Sequence, residues 1–159
     1  LLQRPELVNA MFASILVPID IAQESSWRYA LPEAIDLARA AGGHVTALAV
    51  VREVSALFES AYLAFQLERM VGDARAKLSA IVAGFVTEGV VLNHETRFGS
   101  IGREILAAAS KHAVDLIVME SHRPEMRDYV IGPNAAHVAR HASCSVLVLR
   151  KAVANASRS

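Results

Sequence analysis

The chain has 159 residues, of which 53% are hydrophobic and 20% charged, a length and composition that fit one globular domain burying roughly two-thirds of the surface its unfolded form exposes. Its 16 basic residues are balanced by 16 acidic ones, so no global field is available to hold a nucleic acid by counterion release. The lone cysteine, Cys144, has no partner for a disulfide or a zinc site, which points to a reducing, cytoplasmic compartment.

Aromatic residues make up 6% of the chain, so the core is expected to be built from Ala, Val, Leu and Ile. The longest apolar runs, such as residues 45–51, are strand-length and far short of the ~20 residues of a membrane span. Residues 1–10 precede a start at Met11 and lack the basic-then-apolar profile of a signal peptide. They are expected to be a tag or loose extension, residues 11–152 the domain, and 153–159 a frayed tail.

Residues 14–20 form a short apolar run stopped by Pro18 and Asp20, the pattern of a strand buried on both faces. Ser25 and Ser26 are candidate N-caps of a helix carrying Trp27, Ala30, Leu31, Ala34, Leu37 and Ala38 inward and closing at Gly42-Gly43. Pro32 lies inside that pattern, so either the helix kinks there or its regular part starts near Leu31. Residues 44–51 make a second strand and 56–84 a helix, with a rhythm over Leu67, Met70, Val71, Ala74, Leu78 and Ile81. Its lead-in, residues 57–65, is apolar enough to suggest that it covers a pocket or a partner.

A third strand over 90–98 ends at Gly99-Ser100 and is followed by a helix over 101–111 with Ile105, Leu106 and Ala109 inward. Residues 114–119 make a fourth buried strand, 134–141 a last helix and 145–150 a fifth strand. This alternation predicts an α/β fold: a three-layer, doubly wound sheet of five mainly parallel strands in the order 3-2-1-4-5. Ligands bind such sheets beyond the carboxyl ends of the strands where the order reverses, here between strands one and four.

Asp20, Val50 and residues 120–124 converge on that crevice, followed by Gly132-Pro133-Asn134 opening the last helix. The free N–H groups and positive dipole end of that helix suit a phosphate. His137 and His141 have a metal-compatible spacing but no matching carboxylate or cysteine, so they read as helix surface. Cys144 reads as a packing residue, with no His/Asn set around it.

Taken in order, Ile15-Leu16-Val17-Pro18-Ile19-Asp20, Val114-Asp115-Leu116-Ile117-Val118-Met119, Ser121-His122 and Arg140-His141-Ala142-Ser143-Cys144-Ser145-Val146-Leu147-Val148 resemble the universal stress protein family over residues 11–150. The resemblance implies the adenine nucleotide alpha hydrolase-like fold and an ATP site. Pro18, Ile19, Asp20, Val50 and Met119 would surround adenine and ribose, with Asp20 accepting hydrogen bonds from either. Glu120, Ser121, His122, Arg123, Gly132, Pro133 and Asn134 would face the phosphates, with Mg²⁺ as their counter-ion.

The phosphate half departs from the family pattern of Gly-Ser-His-Gly, a spacer, and Gly-Ser or Gly-Thr. Glu120 and Arg123 stand at the first two glycines, the spacer is shorter, and Pro133 replaces the hydroxyl residue. Glu120 repels phosphate and Pro133 offers neither hydroxyl nor N–H, whereas Arg123, Ser121 and Asn134 could compensate. Ser121-His122-Arg123-Pro124 with Gly132-x-Asn134-Ala135 looks like a branch of the same family that keeps this variant.

The fifth strand is an apolar edge that self-pairing would close. The resemblance implies a homodimer through Ser145, Val146, Leu147, Val148, Leu149 and Arg150, or a tetramer built from two such dimers. With no P-loop and no clear Mg²⁺-holding carboxylate pair, ATP hydrolysis is expected to be slow at most. The functional expectation is a nucleotide-binding sensor or regulator in the stress response; the alternative is a member that binds no nucleotide and acts through protein contacts. A response-regulator receiver is excluded, since Phe98-Gly99-Ser100 follows strand three where that fold needs an Asp, and Ile19-Asp20-Ile21-Ala22 is not a PP-loop.

Overall fold

The structure, a computed structural model, describes residues 11–52, 61–121 and 131–150, the side chains of residues 61–63 excepted. The expectations for the terminal segments, for residues 57–60 and for His122 and Arg123 lie outside the described residues.

Among the described residues the strands are β1 (Ser14–Ile19), β2 (His44–Arg52), β3 (Val91–Gly99), β4 (Leu116–Glu120) and β5 (Ser145–Leu149), and the α-helices are α1 (Ala30–Ala41), α2 (Ala61–Ala83), α3 (Ile101–Lys111) and α4 (Pro133–His141). They form one sheet in the order β3-β2-β1-β4-β5, with every neighbouring pair parallel. The expected fold class and order are therefore observed.

The period of two along β1 distributes its side chains between two cores. Ile15, Val17 and Ile19 point to one face, where they meet Val45, Ala47 and Ala49 of β2, Leu116 and Val118 of β4, the Ala30-Leu31-Ala34-Ile35-Ala38 stripe of α1 and Leu78 of α2. Leu16 points to the other face, against Leu48, Ile117, Ile105 and Ala108 of α3, and Ala135 and Val138 of α4. The result is three layers with small alanines letting the helices sit close to the sheet.

Local boundaries follow from donors and sterics. Ser25 and Ser26 do not cap α1; they belong to a 3-10 turn, Glu24–Ser26, and the helix begins at Ala30. Pro32 explains the later start: it falls in the first turn, where its missing N–H has no intrahelical partner to lose. Gly42 ends α1 in the left-handed conformation at φ 66°, and Gly43 passes so close to Ala13 that a Cβ on it would overlap the Ala13 backbone. Met70 departs from the expected inward rhythm of α2 and is 49% exposed, while Ala74 and Leu78 are buried.

The edge strand β3 is tied to α3 by ion pairs. Glu95 Oε1 accepts from Arg97 Nε at 2.9 Å and Lys111 Nζ at 3.2 Å, its Oε2 bonds His112 Nε2, and Arg97 also reaches Glu104. Burial works against ionisation of Glu95, but the hydrogen bonds from His112, Arg97 and Lys111 outweigh it and bring its pKa down to about 2. With its side chain 22% exposed, solvent screening reduces the contribution to about 2 kcal/mol.

Because the folded pKa is depressed, this stabilisation is fully present above the ordinary carboxylate pKa of 4.5 and is lost as pH falls through about 2. Glu95→Gln is expected to lower the free energy of urea unfolding at neutral pH by about 2 kcal/mol. The gap between variant and parent should narrow as pH falls from 4.5 toward 2; a gap independent of pH would contradict the assignment.

Candidate functional site

The site originates in unequal strand pairing. β1 runs in register with β2 from Ser14↔His44 to Ile19↔Ala49, whereas it pairs with β4 only at Ile15↔Leu116 and Leu16↔Ile117. Pro18 has no N–H, and on the β4 side the ladder stops before it. The carboxyl ends of the two strands are thereby left free to border a cleft of about 720 Å³, within the range of small-molecule sites.

Of the residues expected from sequence, Pro18, Ile19, Asp20, Val50, Met119, Glu120, Gly132, Pro133 and Asn134 all line this cleft. Ser121 is not among its lining residues; its N–H is committed to the Leu149 carbonyl at 2.9 Å. Ile21, Leu48, Ala49, Val51, Ala74, Ile101, Ile105 and Ala135 extend the apolar wall, and Gln23, Ser26, Arg52, Met70, Asp73 and Lys77 complete the lining. The sequence reading gave a pocket-covering role only to the lead-in of this helix and missed Met70, Asp73 and Lys77, because a period of 3.6 identifies the buried stripe of a helix but not which flank of that stripe borders a cavity.

Asp20 organises its own loop. Its Oδ1 accepts the Ala22 N–H at 3.0 Å, closing a turn, and its backbone is clasped by Ser26, whose hydroxyl accepts from Asp20 N at 2.9 Å and donates to Asp20 O at 3.0 Å. Among the described residues Oδ2 has no hydrogen-bond partner, and the side chain is exposed at the cleft. One carboxylate oxygen thus fixes the loop and the other is available to a ligand.

Glu120 has a role that its sequence context did not reveal. Its Oε1 accepts the backbone N–H groups of Tyr29 at 2.8 Å and Ala30 at 2.9 Å, at the start of α1. Tyr29, the N-cap residue, supplies no capping side chain. A carboxylate ninety residues away therefore satisfies orphan donors and the positive end of the helix dipole. It spans the gap where backbone pairing between β1 and β4 has ceased.

At the opposite end, Gly132 is the N-cap of α4 and Pro133 its first residue. Proline is well suited to that position, since its fixed φ matches the helix and its missing N–H is one that the helix leaves unpaired. The replacement of a hydroxyl residue by Pro133 is thus structurally accommodated, though it removes a donor from the cleft. The rings of His137 and His141 meet at a tilt of 47° with centroids 4.6 Å apart, and His137 lies so close to Gly102 that a Cβ there would meet its ring at 2.5 Å. This histidine is part of the α3–α4 contact. Cys144 packs against the second core, and burial pushes its thiol pKa up, away from thiolate reactivity.

Removing the remote cap tests the bridge directly. Glu120→Ala should cost about 1–2 kcal/mol in urea unfolding, the value of a lost helix cap. Glu120→Gln, which retains an acceptor oxygen without the charge, should cost about half as much; equal stability of parent and Ala variant would show that the contact does not form.

Comparison with known proteins places this architecture. The family model described as the universal stress protein family matches residues 11–150. Universal stress protein G of Salmonella typhimurium is 27% identical over 144 residues, 88% of this chain and 100% of the relative. In Shigella flexneri, universal stress protein G is 31% identical over 83 residues, 52% of this chain and only 58% of that protein's length. Among solved structures, universal stress protein UspA from Lactobacillus plantarum superposes with a TM-score of 0.66 at 26% identity, over 89% of this chain and 99% of the other. A universal stress protein in complex with cAMP superposes with a TM-score of 0.56 at 17% identity, over 88% of this chain and 98% of the other. The matched stretch takes in all the strands and helices described and every residue lining the cleft, and this chain belongs to the universal stress protein family.

Proposed function

We propose that the cleft binds ATP or a related adenine nucleotide and that the protein acts as a sensor or regulator in the stress response. The observation that carries this reading is the 720 Å³ cleft at the point where the strand order reverses, apolar on the wall of Ile19, Val50 and Met119 and polar at Asp20. The apolar wall suits a purine face, with Pro18 beside it, and the Asp20 oxygen that has no partner among the described residues suits a ribose hydroxyl or the adenine amine. That a related fold has been crystallised with cAMP supports an adenine nucleotide as the ligand class.

In this reading Gly132, Pro133 and Asn134 border the phosphates, Ser121, His122 and Arg123 belong to the same loop, and Mg²⁺ accompanies the phosphates. The run Ser121-His122-Arg123-Pro124 supports membership of the Ser-His-Arg-Pro branch of the family. Turnover of ATP is slow at most, since the sequence offers neither a P-loop nor a clear catalytic base. No described helix is long and apolar enough to cross a membrane, and the lone cysteine favours the cytoplasm. β5 is the edge of the sheet, its Val146, Leu147, Val148 and Leu149 only half-buried, which supports a homodimer formed through residues 145–150, or a tetramer built from two such dimers.

A second reading is a family member that binds no nucleotide and works through protein contacts. It is favoured by Glu120, fixed at α1 as a negative charge where the family pattern has glycine, and by Pro133. Calorimetry on nucleotide-free protein separates the two. Saturable binding of ATP is expected, weakened roughly tenfold by Asp20→Ala through loss of a hydrogen bond to the ligand. Absence of both heat and thermal shift at millimolar ATP would overturn the nucleotide reading in favour of the second.

A further inference from the structure

We propose that Ser26 is a positioning residue for the nucleotide: its hydroxyl clamps the backbone of Asp20 and so holds the Asp20 carboxylate at the cleft before a ligand arrives. The proposal rests on the nucleotide reading above and names a residue that acts on the ligand only through Asp20.

Asp20 needs such a partner because it lies past the end of the sheet. β1 ends at Ile19, the last residue in register with β2, and its ladder to β4 stops at Leu16. The N–H and C=O of Asp20 therefore have no neighbouring strand to bond. The Ser26 hydroxyl meets both, accepting the N–H at 2.9 Å and donating to the C=O at 3.0 Å. A hydroxyl has one proton to donate and lone pairs with which to accept, so one serine serves both groups, whereas alanine serves neither.

Two turns in succession bring Ser26 back onto Asp20. The Gln23 N–H donates to the Asp20 C=O at 2.9 Å, and the Ser26 N–H donates to the Gln23 C=O at 2.9 Å. Inside the first turn Asp20 Oδ1 accepts the Ala22 N–H at 3.0 Å, which sets the direction of the carboxylate. The far end of the loop is anchored in the core: Trp27, next to Ser26, packs against the first core and meets the Phe85 ring edge-on with centroids 6.3 Å apart. Ser26 is thus tied to the core through its neighbour, and its hydroxyl passes that restraint to an exposed residue at the cleft.

These bonds are exposed to water, so each adds little to folding stability. Their value to binding is larger, because a carboxylate on a loose loop must be ordered when the ligand arrives, and that ordering subtracts from affinity. Ser26 itself borders the cleft, but its one proton is committed to the Asp20 C=O, and donating it to a ligand would break the clamp. A role through Asp20 differs from an independent ligand contact, or from general support of the loop, in a way that a double variant detects: only the first disappears when the Asp20 carboxylate is removed.

Calorimetric titration of the full chain with ATP, for the parent, Ser26→Ala, Ser26→Thr, Asp20→Ala and the variant carrying both alanines, tests this, with melting temperatures measured alongside. Ser26→Ala should weaken ATP binding by about threefold to tenfold. Ser26→Thr, which keeps the hydroxyl, should stay within about twofold of the parent. The variant carrying both alanines should bind within about twofold of Asp20→Ala alone, since no carboxylate is left to position. Three results would overturn the positioning role while leaving the nucleotide site standing: parent-like affinity in Ser26→Ala or in Asp20→Ala, an equal loss from Ser26→Ala with and without the Asp20 carboxylate, or a threonine variant as weak as the alanine one. If the parent binds no ATP, the nucleotide reading fails and this proposal with it.

Discussion

The incomplete pairing between β1 and β4 is the constraint on which the site depends. A central strand in a parallel sheet normally satisfies its backbone on both sides, yet β1 has register partners in β4 only at Ile15 and Leu16. At the amino end the same two strands are held firmly: Asp115 accepts the backbone N–H groups of Ala13 and Ser14, and donates its own N–H to the Ser14 carbonyl. The strands are thus clamped at one end and unpaired at the other. The cleft is where their carboxyl ends no longer share hydrogen bonds.

Glu120 resolves the cost of that separation. The start of α1 carries orphan N–H groups beside an open crevice, and Tyr29 brings no side-chain acceptor. The carboxylate from the end of β4 fills this need, linking an element on the far side of β1 to the helix that follows it. The same carboxylate lies on the wall of the cleft, at the end of β4.

The fold was legible because its signals are local. Buried strands such as residues 14–19 and 116–119 read as continuous apolar runs, helices as a period of 3.6, and their alternation leaves few topologies. The β1–β2 side of the cleft was legible for a related reason: Pro18, Ile19, Asp20 and Val50 sit at strand ends, where the switch-point rule places ligands, and the family resemblance added Met119. What escaped depends on distance in sequence. The capping of α1 by Glu120 spans ninety residues, the clasp of Ser26 on Asp20 requires a folded turn, and the exposure of Lys77 to the cleft requires the position of α2 relative to β2. Ser25 and Ser26 misled as N-caps because good capping residues are also good turn residues.

A crystal structure grown with ATP or a non-hydrolysable analogue tests most directly the central claim that the cleft between β1 and β4 is a nucleotide site. Density for the base against Ile19, Val50 and Met119, with the ribose within hydrogen-bonding distance of Asp20, is the expected result. A cleft without nucleotide density in crystals soaked to saturation, or a nucleotide bound elsewhere on the surface, would contradict it.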